Sequence, residues 1–138
     1  MIDAGVVGET TVQGLARLSR VLDQSSPDLA TLMEGSNDIL RGLNLGQAKN
    51  DLRDLVLFIQ QRHIDVVLIG LPKKSLFLNT HPMYKDLATE LELVFDGAVL
   101  AELQATASLK SDIVHFNKMG YQKMSESIYT VLQERVAL

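Results

Sequence analysis

Seven residues, Asp65-Val66-Val67-Leu68-Ile69-Gly70-Leu71, constrain the fold more than any other stretch. They are β-branched and apolar without alternation. A strand reads this way when helices cover both faces of its sheet, whereas a sheet with one wet face alternates apolar and polar residues. Pro72 closes the run. Just before it, Asn44 can cap a helix, with Gln47 three residues on as a capping-box partner. Leu45, Ala48, Leu52, Leu55, Val56 and Ile59 form one apolar stripe of that helix, with Lys49, Asp51 and Arg53 expected outside.

The same alternation extends both ways along the chain. Residues 1–11 read as the tail of a strand followed by a glycine-containing turn. Thr10 or Thr11 can cap a helix over about 12–24, where Val12, Leu15, Leu18, Val21 and Leu22 recur at helical spacing. Leu29 to Met33 is a short apolar run of strand length, stopped by Glu34-Gly35-Ser36-Asn37-Asp38. Beyond the central strand lies a loop over 73–80 carrying Leu76, Phe77 and Leu78. Pro82 suits the first turn of a helix whose apolar face is Tyr84, Leu87, Ala88, Leu91 and Val94. Gly97 to Leu100 is the last predicted strand. Asn117 caps a final helix, with Tyr121, Met124, Ile128, Val131 and Leu132 inward and Met119 in the core with them. Strands alternating with helices call for an α/β fold: a parallel sheet, helices on both faces, right-handed crossovers. The 138 residues are expected to form one domain.

Composition excludes several classes of function. A net charge of −4 gives no electrostatic reason to bind nucleic acid or an anionic membrane. No run approaches the roughly 18 apolar residues of a membrane span, and no secretory signal opens the chain, so the cytoplasm is the default compartment. There is no cysteine, hence no disulfide framework and no thiolate nucleophile. No His, Asp or Glu cluster has metal-site spacing, and neither a metal nor a cofactor is expected.

Ligands of open α/β sheets sit beyond the carboxyl ends of the strands. Gly8, the Gly35–Asp38 turn and the Asp112–His115 loop each follow a predicted strand and are expected on that edge. Within the last, an acid and a histidine three residues apart can pair, the carboxylate fixing the ring tautomer and leaving the other nitrogen to take a proton. Plainer readings stand beside these: a helix-entry loop held by an Asp–His bond, Asn37 as a turn residue, Gly8 as a turn glycine. His63 ends a helix, and His81 before Pro82 reads as a cap or surface residue.

Three blocks in this order resemble the SGNH (GDSL-type) hydrolase family, nearest its branch of thioesterase I, lysophospholipase and arylesterase enzymes. They are Gly8-Glu9-Thr10-Thr11 with Gln13-Gly14-Leu15-Ala16-Arg17-Leu18, Gly35-Ser36-Asn37-Asp38, and Asp112-x-x-His115-x-Asn117-x-x-Gly120-Tyr121-x-x-Met124. The resemblance implies a three-layer α/β/α flavodoxin-like sheet acting on ester or thioester small molecules. His115 would be the base, Asp112 its orienter, and the Gly8 backbone N–H and Asn37 amide the oxyanion donors. Phe116 stands where the family usually has proline, which is expected to loosen the loop.

The family's first block, Gly-Asp-Ser, occurs nowhere in the sequence. The resemblance therefore implies a fold truncated at its N-terminus, with the first strand and the nucleophile missing. Loss of the nucleophile from a serine triad costs on the order of 10⁶ in turnover, so the single chain is expected to be nearly inert. Ser36 could replace the lost serine only with its oxygen within hydrogen-bond reach of the base. The alternative is a non-catalytic remnant, oligomeric or binding small molecules. In the sheet order 2-1-3-4-5 the strand at 29–33 becomes an open apolar edge, which a second copy is expected to cover as a homodimer or strand-exchanged assembly. Leu76, Phe77 and Leu78 would line an acyl pocket, pack internally or join that interface.

Overall fold

The first five residues of the run at 65–71 become the middle strand of a three-stranded parallel sheet. The computed structural model describes residues 1–73, 79–112 and 115–136. Its elements are α1 (Thr11–Ser25), β1 (Leu29–Leu32), α2 (Ser36–Arg41), α3 (Leu45–Gln60), β2 (Asp65–Ile69), α4 (Pro82–Glu90), β3 (Val94–Asp96), α5 (Val99–Gln104), a 3₁₀ turn (Ala107–Leu109) and α6 (Lys118–Val136). The strand order is β1-β2-β3. Leu76, Phe77 and Leu78 lie outside the described residues.

The chain divides into two compact units, Met1–Val67 and Leu68–Leu138. In the first, α1 packs on α3. Thr10 caps α1 in a reciprocal capping box with Gln13, and the Asn44 side chain caps α3 by accepting from the Gln47 N–H. The stripe of α3 buries Ala48, Leu52, Leu55, Val56 and Ile59, and each of the larger side chains contributes about 1.5–3 kcal/mol by leaving water. The second unit buries Leu68, Ile69, Leu71, Met83, Tyr84, Leu87, Leu100, Leu109, Phe116 and Val131. There His81 caps α4, its Nδ1 accepting from the Met83 N–H at 3.2 Å. Burial, aided by the charge of Lys73, lowers the pKa of His81 and favours the neutral ring that this bond requires. Asn117 opens α6 by accepting from the Gly120 N–H at 2.9 Å.

Several sequence expectations are corrected. The stub at the N-terminus is not a strand: residues 1–7 are exposed and carry no strand pairing, without which extended chain is not sheet. Gly35–Asp38 is not a bare turn but the start of a short helix, α2. The last strand is Val94–Asp96; Val94 belongs to it rather than to the preceding helix, and Val99 and Leu100 begin α5. Asp96 causes this switch by accepting from the N–H groups of both Ala98 and Val99, as an N-cap would. As a result α5 and the 3₁₀ turn stand between the last strand and the Asp112 loop. Val12, Met119 and Tyr121 are exposed, because the short ends of amphipathic helices overhang what they pack on. Asp51, expected outside, is buried.

Candidate active site

In the first unit the site residues gather at the start of α1. The turn Val6–Glu9 closes with the Glu9 N–H on the Val6 carbonyl at 3.2 Å. Gly8 occupies its third position with φ +78°, the conformation that a type II turn reserves for glycine. The turn's own bond leaves the Gly8 N–H out. The Gly8 carbonyl accepts from Arg41 Nη2 at 3.0 Å.

Asn37, second residue of α2, donates Nδ2 to the Glu9 carbonyl at 2.8 Å. That bond ties the amide to the residue after Gly8, so the two expected oxyanion donors are brought together. A primary amide has two donor hydrogens, and using one on Glu9 fixes the direction of the second. Ser36 is exposed at the first position of α2.

Beneath Asn37 the chain is locked by buried polar groups. The Asp38 carboxylate accepts from the Thr11 N–H at 2.9 Å and from its hydroxyl at 2.8 Å. The same hydroxyl lies 3.2 Å from Asp51 Oδ2, while Gln47 Nε2 donates to Asp51 Oδ1 at 2.9 Å. Glu9, also buried, receives the Arg17 guanidinium as a fork: Nε on one oxygen, Nη2 on the other at 2.8 Å. Glu34 lies beside them and has its pKa pushed up to about 7, first by burial, then by the charges of Glu9 and Asp38. Sequence reasoning missed this network. One signal was available: Asp51 stands three residues after Ala48 and four before Leu55, in phase with the buried stripe.

In the second unit Asp112 and His115 pair as expected. Asp112 Oδ2 is 2.9 Å from His115 Nδ1, and Oδ1 accepts the His115 backbone N–H at 2.8 Å. A carboxylate only accepts, so Nδ1 carries the hydrogen and Nε2 presents a lone pair. The pair is exposed, at 58% and 67% of side-chain surface. Its loop is held on both sides. Ser111 donates its N–H to the His115 carbonyl at 2.9 Å, and Asn117 reaches back with its N–H to Leu109 and with Nδ2 to Ser108. Phe116 is buried, bridges to Lys110 and meets Tyr121 edge to face. Residues 113–114 lie outside the described part of the chain. Among the described residues no group of three His, Asp or Glu side chains is placed to hold a metal ion, and no helix is long and apolar enough to cross a membrane.

Known proteins resemble this chain in sequence and in fold. The chain is 36% identical over 69 residues to an arylesterase of Vibrio mimicus, a match spanning 50% of this chain and 34% of that protein. It is 32% identical over 69 residues to thioesterase 1/protease 1/lysophospholipase L1 of Escherichia coli, a match spanning 50% of this chain and 33% of that one. The matches thus span about a third of the length of these relatives. Among solved structures, the psychrotrophic esterase EstA from Pseudoalteromonas sp. superposes with a TM-score of 0.88 at 20% identity, covering 99% of this chain and 78% of that one. This likeness shows the shared α/β fold. Residues 1–123 match the GDSL-like Lipase/Acylhydrolase family, and the chain belongs to that family.

Proposed function

We propose that this chain supplies the base, its orienter and two oxyanion donors of a hydrolase acting on ester or thioester small molecules. The observation that carries the reading is the Asp112–His115 pair, which leaves Nε2 able to accept a proton. In the reaction a hydroxyl attacks the substrate carbonyl while His115 Nε2 takes its proton. The Gly8 N–H and the Asn37 amide donate to the oxyanion, where one well-aimed donor is worth about 2.7–4 kcal/mol. His115 then returns the proton to the departing alcohol or thiol, and water repeats the sequence on the acyl group.

The attacking hydroxyl belongs to a Gly-Asp-Ser segment that these 138 residues do not include. In this reading the segment is joined ahead of Met1 or comes from another chain, and residues 1–138 alone hydrolyse esters poorly. β1 stands at one end of the strand order, and its outer edge is the place for that strand or for a second copy. The test is hydrolysis of a short p-nitrophenyl ester by the chain alone and by a fusion carrying a Gly-Asp-Ser strand and helix. Activity in the fusion that falls by about 10²–10⁴-fold in His115→Ala supports the reading. A fusion that folds but shows no His115-dependent rate leaves a non-catalytic, ligand-binding member of the fold. Ser36→Ala with unchanged rate eliminates Ser36 as the nucleophile. Sedimentation of the chain alone reads the pairing of copies, and a strict monomer removes the dimer.

A further inference from the structure

Asn37 and Gly8 meet at Glu9, and what holds Glu9 is Arg17, in the second turn of α1. The Glu9 carbonyl accepts the Asn37 amide, its N–H closes the turn that contains Gly8, and its carboxylate takes the Arg17 fork. Arg17 Nη2 also donates to the Ala4 carbonyl, so one guanidinium grips the segment on both sides of the turn. The geometry leaves little play. A Cβ on Gly14 would lie 3.2 Å from Glu9 Oε1, so a side chain at 14 would press on that carboxylate, while Glu34 Cδ at 3.5 Å would be in ordinary contact.

A surface ion pair contributes about 0–1 kcal/mol and would not merit a role. Here the carboxylate is buried, the contact is a two-pronged Arg–carboxylate fork, and the same guanidinium also donates to the Ala4 carbonyl. Such forks add geometric specificity as well as energy.

Resting on the reading of Asn37 and Gly8 as oxyanion donors, we propose that Arg17 is a positioning residue: acting through Glu9, it aims the Asn37 amide and fixes the Gly8 turn. Asn37 has a second restraint through its neighbour, Asp38 on Thr11, which does not pass through Arg17 and serves as an internal control.

The test is solvent exchange of the Asn37 side-chain amide in the full 138-residue chain, read by ¹⁵N NMR and assigned by loss of the signals in Asn37→Asp. In Arg17→Met the bonded Nδ2 proton is expected to exchange about tenfold faster, while the Thr11 N–H held by Asp38 changes less than about twofold. Arg17→Lys, which keeps the charge but not the fork, is expected to fall between. Unchanged exchange at Asn37 overturns the proposal. So does an equal rise at Asn37 and Thr11, which makes Arg17 a staple of the whole fold. If Arg17→Met does not fold, Arg17→Lys decides by the same two criteria. Because this readout involves no turnover, a failed ester assay with the exchange pattern intact rejects the hydrolase reading alone.

Discussion

Asp112 holds His115 in two places at once: one carboxylate oxygen accepts the backbone N–H at 2.8 Å and the other faces Nδ1 at 2.9 Å. The backbone bond sets the loop, and the side-chain bond sets the ring. A single residue therefore fixes both the position of the imidazole and the nitrogen that carries its hydrogen.

Asp112→Asn separates these two tasks. The amide oxygen can still accept the backbone N–H, but its NH₂ favours the opposite ring tautomer. In a fusion carrying the serine segment, kcat for a p-nitrophenyl ester is expected to fall about 10²-fold with KM little changed. This is the lower end of what general-base catalysis contributes, because the pair is exposed.

Thr11→Val keeps the shape of a fully buried residue and removes the hydroxyl that stands between Asp38 and Asp51. The one hydroxyl hydrogen that faces two buried carboxylates is then lost, and the Thr11 N–H remains on Asp38. The expected loss is about 2–3 kcal/mol, read as a lower midpoint in urea with an unchanged slope.

Gly120→Ala tests the anchorage of the His115 loop. A Cβ at 120 would overlap the Leu109 carbonyl and lie 2.8 Å from Phe116 Cβ. That carbonyl accepts the Asn117 N–H, so relief of the clash must move the cap of α6 or the loop. Stability is expected to fall by about 3 kcal/mol, as for overpacking of a closed site, with the His115 ring signals shifted in NMR spectra. A stable variant with an unmoved His115 would refute the account.

Glu34 gives a pH dependence with a definite sign. Its carboxyl binds a proton more tightly in the folded chain, with a pKa of about 7, than at the ordinary value of 4.5. Its contribution to stability is therefore complete below about pH 4.5 and is lost as the pH rises through 7. The shift converts to about 3 kcal/mol, which solvent at this partly exposed group reduces to about 1–2 kcal/mol. Glu34→Gln should raise the urea midpoint at pH 8 and flatten its decline between pH 4.5 and 8.

The elements read best in the sequence were those whose own residues define them. The doubly apolar run at 65–71, the stripe and Asn44 cap of α3, and the caps at Thr10, His81 and Asn117 all rest on contacts within a few residues. The region after α4 read poorly: Val94, Val99 and Leu100 are short apolar stretches in which strand and helix look alike. The side chain of Asp96 decided between them. Asp51 was misplaced because its charge outweighed its helical phase.

By itself the sequence determined the α/β alternation, the family blocks and the pairing of Asp112 with His115, since each depends on spacing along a few turns of chain. Only the tertiary structure decided that Glu9 links Gly8 to Asn37, that Arg17 grips Glu9, and that Thr11 stands between Asp38 and Asp51. Those partners lie 8 to 40 residues apart. A side chain's reach along the chain ends within about one helical turn, so Thr11 meets Asp51 only because α1 packs on α3, Asn37 meets Glu9 only because α2 comes back to the turn before α1, and Arg17 meets Glu9 only because that turn folds back along α1.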